Sequence, residues 1–426
     1  MKEPMSMLLK PAIDKISKVK DSPMARQSAA MFTSNILGLG LGIAVSILNT
    51  RLLGPEDYGD LKYLLNLFAL GVVLLTGGYS YTGARAIALE AYKDIKGKLV
   101  GGLYVINSLI TIVYVIFLII SSYVIDNYIS SDSDVGPVIR LLAPLLFVFP
   151  FHSLLEKILE GENRIYDLSI FRVGSKVFYI ATLLSLSVFF SVNLVLALTI
   201  HLVSLLAVIV YVFIRKVPDF HNIKSSVFKL KELNREHGFQ IYIGALVGNG
   251  SEYLGSIIIG AFMSNINVGY YALATTVATP LFMIPQSLGT VFFKKFANSK
   301  KIPTYAFIAT IFVTLLAYLG FNLIIEYVVL FVYSEDFLPV VKYTRFLSIA
   351  ILLKGCGFFI NRFLHSHGLG KELRNASFLR GIINVPGFYF LVKYYDVYGA
   401  CFTMILSNFL VLIYLIIKYR RYTKSL

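Results

Sequence analysis

Charged residues lie within, or at the ends of, long apolar segments of the sequence, where a charge needs a special environment, and seven of them are candidate functional residues. Guanidinium and ammonium groups around a water-filled cavity would suit an anionic substrate, above all a phosphate. The cations in such positions are candidate substrate-binding residues: Arg51, Lys62, Arg85, Arg140, Lys295 and Lys354. For any single cation, extension of the side chain to the lipid headgroups is an alternative.

The seventh charge, Glu252, lies near the middle of an apolar segment. Exposure of a carboxylate to lipid is costly, so this side chain must face protein or water. Two roles are open for it: coupling of transport to protons or sodium ions, and pairing with a cation of a cavity. We predict Glu252 as the ion-coupling residue.

Small and polar residues recur every three or four positions in the segment of Glu252 and in the first apolar segment. The positions are Asn35, Gly38, Gly42, Ser46 and Asn49 in the first, and Gly244, Gly248, Glu252, Gly255 and Ser256 in the second. Such a face allows two helices to pack closely, or it lines a water-filled cavity. The pattern is compatible with both.

The sequence contains no common signature of catalysis or of a bound cofactor. Its two cysteines, Cys356 and Cys401, are far apart in apolar segments, and no GxxxxGK[ST] phosphate-binding loop occurs. No nucleophile and base occur at a spacing that supports catalysis. We therefore predict no cofactor, no metal ion and no enzymatic activity.

The elements that must position these residues are membrane-spanning helices. Of the 426 residues, 57% are hydrophobic and 15% charged, and the mean hydropathy is +0.73. Soluble domains have about a quarter charged residues, so this composition excludes a soluble enzyme, a disordered chain and a disulfide-stapled secreted domain. We predict an all-α polytopic membrane protein with about twelve transmembrane helices. The predicted spans are 29–52, 61–84, 99–125, 138–154, 168–189, 192–214, 239–262, 268–292, 305–330, 338–360, 376–392 and 397–417.

The basic residues follow the order of these spans. All but six of the 39 lysines and arginines fall on one side of the predicted membrane. Because cytoplasmic loops are enriched in basic residues, both termini are predicted to lie in the cytoplasm. These loops account for the net charge of +15, and we expect no nucleic-acid partner.

The two halves of the chain are related by a weak internal repeat. When the first half is shifted by 210 positions, Gly38 aligns with Gly248, Gly59 with Gly269, and Arg85 with Lys295. Six spans per half would make this a parallel repeat, with the two six-helix bundles entering the membrane in the same sense. The predicted units are a basic cytoplasmic segment at 1–28, a lobe at 29–214, a cytoplasmic linker at 215–238 and a second lobe at 239–426.

The segment Thr50–Gly59 (TRLLGPEDYG) resembles the corresponding segment of polysaccharide flippases. The two six-span halves and the basic loop between them resemble the same family. These are the O-antigen or lipid-linked oligosaccharide transporters of the multidrug/oligosaccharidyl-lipid/polysaccharide exporter superfamily. The resemblance extends over essentially the whole chain. It implies a V-shaped pair of helix bundles around a cationic lumen, in the bacterial inner membrane.

The resemblance further implies a substrate of undecaprenyl pyrophosphate that carries a sugar repeat unit, as for the O-antigen of lipopolysaccharide. The substrate would move from the cytoplasmic to the outer leaflet by alternating access. Implied partners are this lipid-linked oligosaccharide, membrane lipids, a polysaccharide polymerase and a chain-length regulator.

Two other functions are compatible with the sequence. A drug or small-molecule exporter of the same superfamily would couple ion flow to the efflux of cations, which the cationic candidate residues disfavour. A membrane-embedded polysaccharide polymerase would need a sizeable outer loop, whereas the predicted outer loops are short.

Overall fold

The computed structural model describes residues 23–128, 135–215 and 217–424. Most of the predicted basic N-terminal segment, residues 1–22, lies outside the described residues. Within the described ranges the chain is almost entirely helical and has no β-strand. The predicted all-α fold is confirmed.

Sixteen α-helices are described. In the N-terminal half they are α1 (Pro23–Leu75), α2 (Tyr79–Ala88), α3 (Lys96–Tyr128), α4 (Val135–Leu142), α5 (Val148–Gly161), α6 (Ile165–Ser187) and α7 (Leu194–Arg215). In the remainder they are α8 (Ile223–Leu233), α9 (Phe239–Ala245), α10 (Ser251–Phe262), α11 (Asn265–Ala278), α12 (Pro280–Val291), α13 (Phe293–Ala297), α14 (Thr304–Val328), α15 (Pro339–Ser366) and α16 (Gly370–Lys424).

Short helical turns of other kinds connect several of these helices. The 3-10 turns are Glu90–Ile95, Ala143–Leu145 and Glu335–Phe337, and the π-helical turns are Asn234–Gly238, Leu246–Gly250 and Val329–Tyr333.

The described helices account for the predicted spans. Seven helices are long and apolar enough to cross a membrane, and two bent pairs, α4 with α5 and α11 with α12, raise the number to nine. Two of the seven, α1 and α16, are 53 and 55 residues long and each contains a backbone break. In addition, α9 continues through a π-helical turn into α10. All twelve predicted spans therefore fall on helical segments.

The breaks in α1 and α16 follow from local sequence. Gly54 has a φ of 72°, a conformation that glycine adopts without strain, and Pro55 has a ring that suits the first turn of the next helical segment. In α16, Asp396 has a φ of 55° next to Tyr395. Each long helix is thus two spans joined by a tight turn.

The two halves meet chiefly through α1, which packs against α6 in its own half and against α10 and α11 of the other. One buried core crosses this contact, from Leu61 and Phe68 to Leu273. A second core, around Phe296 and Phe359, lies within the C-terminal half.

The two halves also approach each other closely at two glycines that the repeat predicts to be equivalent. A Cβ added to Gly269 would lie 3.0 Å from the Cα of Gly59. Equivalent residues of two related units can touch only at the axis that relates them. The contact is compatible with an axis between α1 and α11, and the parallel repeat stays a prediction.

Candidate substrate-binding site

A cavity of about 710 Å³ opens between α2 of the N-terminal half and α9 and α16 of the other half. A smaller cavity of about 250 Å³ adjoins it, because both are lined by Asn361, Leu373 and Ser377. We call the two together the cationic cavity. In the described part of the chain its lining has five cations and no carboxylate. The five are Arg85, Lys354, Lys371, Arg374 and Arg380.

Helix geometry brings these cations together. Along the start of α16, Lys371, Arg374, Ser377 and Arg380 follow one another every three residues, so each lies beside the next in a row that winds around the helix. The end of α2 contributes Arg85, and α15 contributes Lys354 from the middle of its length.

One carboxylate lies behind the lining. The Oε1 atom of Glu252, on α10, is 3.2 Å from Nζ of Lys354 and 3.6 Å from Nη1 of Arg380. All three side chains are between 23% and 33% exposed, so each is shielded but still reachable by water. Five cations against one nearby carboxylate leave the cationic cavity strongly positive.

Two of the arginines have an unfilled hydrogen-bonding position. The Nε atoms of Arg374 and Arg380 are buried and have no partner among the described residues. Arg374 donates a long hydrogen bond of 3.4 Å from Nη1 to Oε1 of Gln240. Buried donors are usually paired, so oxygen atoms of a bound anion could satisfy these groups after a small movement.

A second cavity, also of about 710 Å³, lies in the N-terminal half. Helices α1, α5, α6 and α7 line it, and Thr276 and Thr279 reach it from the C-terminal half. We call it the N-terminal cavity. Three residues beyond Thr279, Phe282 lines the cationic cavity. The 42° bend between α11 and α12, where Pro280 begins α12, therefore lies between the two cavities.

Three cations line the N-terminal cavity, and one of them is neutralised. Arg172 on α6 lies 2.6 Å from a carboxylate oxygen of Glu156 and 2.7 Å from one of Glu160. Both carboxylates belong to α5, so this group ties α5 to α6.

The other two cations of the N-terminal cavity have no carboxylate within salt-bridge distance among the described residues. Lys176 donates a hydrogen bond from Nζ to the backbone oxygen of Gly38. Lys62 lies over the ring of Tyr58, with Nζ 5.2 Å from the ring centre.

Of the seven predicted site residues, the structure places Arg85 and Lys354 in the cationic cavity and Lys62 in the N-terminal cavity, with Glu252 in contact with the cationic cavity. Arg51 lies elsewhere, at the end of the molecule predicted to face outward. It donates hydrogen bonds from Nε to the oxygen of Val332 at 2.8 Å and from Nη2 to that of Phe331 at 2.5 Å. Arg51 thus links the two halves.

The remaining two cations line neither of the two cavities. Arg140 on α4 lies 2.6 Å from Oδ2 of Asp126, on α3. Lys295 on α13 is exposed, and its Nζ lies 2.6 Å from the hydroxyl of Tyr305. A substrate-binding role for these residues stays a prediction.

The two faces of small residues differ in their surroundings. Gly38 and Gly42 line the N-terminal cavity, where a Cβ at Gly42 would lie 3.5 Å from Nζ of Lys176. Gly255, by contrast, packs against the ring of Phe388, which an added Cβ would meet at 2.8 Å. Gly38 and Gly42 on α1 therefore make room for a cation, whereas Gly255 on α10 allows close packing and Gly244 on α9 lines the cationic cavity.

The segment on which the family resemblance rests closes the two halves against each other. Tyr58 is fully buried, and its hydroxyl lies 3.0 Å from that of Ser46. Asn265 donates a hydrogen bond of 2.6 Å to Asp60 across the contact. A Cβ at Gly59 would lie only 2.0 Å from the backbone oxygen of Asn265. The backbones therefore touch, and the segment has a structural role.

Sequence analysis left Lys371, Arg374 and Arg380 of α16 outside the candidate set. The signal was their recurrence in one helical segment, where Lys371 and Arg374 are three residues apart and therefore lie side by side. The positions of Lys371 and Arg374 at the start of a span made them resemble ordinary cytoplasmic loop residues.

The described chain has the fold of solved membrane transporters. It superposes on "Lipid II flippase MurJ, inward closed conformation" with a TM-score of 0.75 and 16% identity, over 92% of this chain and 87% of that one. It also superposes on the inward-facing conformation of a multidrug resistance MATE family transporter of the MOP superfamily, with a TM-score of 0.69 and 16% identity, over 91% and 95%. At these identities the likeness establishes the fold.

The sequence identifies the family within this fold. Residues 24–295 match the family model described as "Polysaccharide biosynthesis protein". This match covers more than half of the chain, so the chain belongs to that family. A search of curated proteins found no match. The predicted relation to the polysaccharide exporters is therefore confirmed for family and fold.

Proposed function

We propose that this protein is a flippase for polyprenyl-diphosphate-linked oligosaccharides. It would move the repeat unit of a surface polysaccharide, such as an O-antigen, from the cytoplasmic to the outer leaflet of a bacterial inner membrane. Both termini would lie in the cytoplasm, and each half of the chain would act as one lobe.

The cationic cavity is the observation that carries this proposal. A diphosphate cannot cross hydrocarbon unaided, because a buried charge without a partner is very costly. The five cations of the cavity, with their multiple N–H donors, offer partners for the phosphate oxygens. The polyprenyl chain can stay in the bilayer while the headgroup passes between the halves.

The closure at the predicted outer end fits the resting state of such a transporter. Arg51 and the Gly59–Gly269 contact hold the halves together at that end, while the cationic cavity lies at the cytoplasmic ends of α2, α9 and α16 under the same prediction. Rocking of the halves about this contact would expose the cavity to the other side.

The cationic lining disfavours the alternative of a cation exporter, since like charges repel. A polymerase would need catalytic groups, and among the described residues no hydroxyl that lines either cavity is hydrogen-bonded to a histidine or carboxylate side chain. The fold shared with transporters supports a transport function over an enzymatic one.

The proposal is tested by deleting the gene in the native cell and assigning lipid-linked oligosaccharides to each leaflet. Complete repeat units should accumulate on the cytoplasmic leaflet, and the intact gene should restore their movement. If single repeat units instead reach the outer surface unpolymerised, the protein acts as a polymerase and the proposal is wrong.

Ion coupling by Glu252 is a separate proposal. Two cations within 4 Å of the carboxylate raise the cost of binding a sodium ion there. If Glu252 couples transport to sodium, replacing sodium by potassium should slow substrate movement by the intact protein but not by Glu252→Gln. Equal rates of the intact protein in both salts would exclude sodium coupling.

A further inference from the structure

Helix α8, in the predicted linker between the two halves, has a side that is both basic and aromatic. Lys224, Phe228, Lys231 and Arg235 follow one another at intervals of four, three and four residues, which places them on one side of a helix. Arg235 belongs to the π-helical turn that directly follows α8. All four side chains are exposed, Phe228 by 73%. We call these four residues the outer face of α8.

The opposite side of α8 packs against α3, a helix that is long and apolar enough to cross a membrane. Ser226 and Leu230 are buried on this side. A Cβ added to Gly102, near the start of α3, would lie 3.0 Å from Cβ of Ser226 and 3.1 Å from Cδ1 of Leu230. Because α8 lies beside the end of a span, it lies at the depth of the lipid headgroups.

The residue that follows α8 fixes the direction of the outer face. Asn234 is buried, and its Oδ1 atom accepts a hydrogen bond of 2.7 Å from the hydroxyl of Thr82. Its Nδ2 atom donates one of 3.0 Å to the backbone oxygen of Gly77. Helix α8 is therefore held along its length and at its end, and its outer face is directed away from the protein.

The charges of the outer face are not neutralised within the described parts of the chain. Lys224, Lys231 and Arg235 have no carboxylate within salt-bridge distance there. The acid of α8, Glu232, pairs with Lys229 at 2.9 Å. Three positive charges close to a membrane surface attract anionic lipids.

Exposed apolar side chains accompany these charges. Phe228 lies among the cations of the outer face, and Ile214, Val217 and Phe220 precede α8 with exposed fractions of 75%, 69% and 45%. The boundary between headgroups and acyl chains accommodates cations and apolar groups together. A lipid surface therefore fits this region better than an acidic soluble protein, because lipid surrounds the end of a span in any case.

We propose that the outer face of α8 is a binding site for anionic phospholipids. The headgroup phosphates contact Lys224, Lys231 and Arg235, and the ring of Phe228 inserts between the acyl chains. The bound lipids belong to the leaflet on the side predicted to be cytoplasmic. They are not the transported substrate, so the site does not depend on the proposed flippase function.

The test uses the absence of tryptophan from the sequence, because Phe228→Trp places a single fluorescent reporter in the outer face. The purified full-length variant is reconstituted into vesicles of phosphatidylglycerol and phosphatidylcholine. Bromine atoms, which quench tryptophan, are placed on the acyl chains of one lipid at a time. At equal mole fractions, phosphatidylglycerol should be enriched about fivefold around the tryptophan, as expected when one basic residue near the surface attracts an anionic lipid.

Substitutions in the Phe228→Trp background assign this preference to the cations of the outer face. Quenching by the two lipids should become equal in a variant that combines Lys224→Gln, Lys231→Gln and Arg235→Gln. The matched control removes three other exposed cations that are predicted on the same side of the membrane: Lys300→Gln, Lys301→Gln and Arg420→Gln. It lowers the net charge by the same amount and should keep the preference.

Three results would overturn the proposal. The first is equal quenching by the two lipids in Phe228→Trp itself, which decides the matter whether or not the further variants fold. The second is quenching by neither lipid, because the outer face would then be directed to water or to a soluble protein. The third is loss of the preference in the matched control as well, because the overall charge of the protein, and not α8, would then attract the lipid.

Discussion

At the scale of single residues, Glu252 explains how two of the five cations can stay in the membrane interior. Its Oε1 atom contacts both Lys354 and Arg380, which come from α15 and α16. One carboxylate thus ties three helices together and lowers the repulsion between two cations. It leaves the other cations of the cavity without that compensation, so the cavity keeps the positive charge that the proposed substrate requires.

We expect Glu252→Gln to destabilise the protein and to leave it folded. The change leaves Lys354 and Arg380 without their counter-charge. Removing one partner of a fully buried pair costs about 3–5 kcal/mol. The partial exposure of these side chains lowers the expected cost to about 1–3 kcal/mol. Thermal unfolding of the purified protein measures this difference.

The matched control for Glu252 is Glu326→Gln. Glu326 pairs with Arg345 at 3.3 Å, but both side chains are at least half exposed. Exposed pairs contribute about 1 kcal/mol or less, so this variant should unfold at a temperature close to that of the intact protein. Equal unfolding temperatures of the two variants would show that the Glu252 contacts are not a structural requirement.

At the scale of elements, the break between α1 and α2 joins the two halves of the molecule. Gly77 and Gly78 have φ values of 56° and 86°, so the helix is interrupted there. Freed backbone oxygens accept hydrogen bonds from the linker and from the C-terminal half. Asn234 donates to the oxygen of Gly77 at 3.0 Å, and Tyr242 donates to that of Leu74 at 2.5 Å.

This arrangement predicts a specific effect of Tyr242→Phe. The variant leaves the carbonyl oxygen of Leu74 without its partner, which costs about 1–2 kcal/mol, and it loosens α9 from the end of α1. We expect the distance between spin labels placed on the two halves to become more broadly distributed. Pulsed electron paramagnetic resonance measures that distribution.

Tyr114→Phe is the control, since Tyr114 donates to the backbone oxygen of Phe68 within one half, at 3.2 Å. It should lower stability to a similar extent and leave the distance distribution unchanged. The same broadening in both variants would contradict a junction role for Tyr242.

The contact between α1 and α11 predicts a stronger effect of Gly59→Ala. The new Cβ would meet the backbone of Asn265, which cannot move aside as a flexible side chain can. We expect the halves to separate at this end, with a cost of about 1–3 kcal/mol, typical of overpacking. Labelling of a cysteine introduced at Tyr270 should become faster.

Gly320→Ala serves as the comparison for Gly59→Ala. Nothing lies within 4 Å of a Cβ added to Gly320, on α14. In this variant the cysteine introduced at Tyr270 should be labelled at the same rate as in the parent protein. Unchanged labelling in Gly59→Ala would mean that the close contact does not hold the end closed.

At the scale of the whole molecule, transport requires that the contact between halves opens. We expect a cross-link between Asp60→Cys and Asn265→Cys, whose native side chains are 2.6 Å apart, to stop substrate movement. The background carries Cys356→Ala and Cys401→Ala. Movement of lipid-linked oligosaccharide in proteoliposomes is measured before oxidation, after it and after reduction.

A pair within one half controls for the cross-linking chemistry. Glu326→Cys and Arg345→Cys join α14 to α15 of the C-terminal half, and their cross-link should be tolerated. Full transport by the oxidised Asp60–Asn265 pair would show that this end does not need to open.

The sequence was sufficient for the fold and for part of the candidate site. Apolar segments and basic loops predicted the helical spans, because lipid imposes these patterns on any polytopic protein. The pairing of Glu252 with Lys354 was not predictable, since 102 residues separate them and only tertiary packing joins their helices. Arg51 has the same charge as the cavity cations, but its partners are backbone oxygens that no sequence pattern marks.

The measurement that tests the central claim most directly is substrate movement by the purified protein in proteoliposomes. A labelled polyprenyl-diphosphate oligosaccharide should cross the bilayer only when the protein is present. The double variant Lys354→Gln/Arg380→Gln should lower the rate by about tenfold or more, because two charged contacts to the diphosphate are lost. Lys342→Gln should leave it unchanged, because Lys342 lines neither cavity. If the intact protein moves no diphosphate-linked oligosaccharide but exports a lipophilic cation, the cationic cavity does not serve a flippase and the account is contradicted.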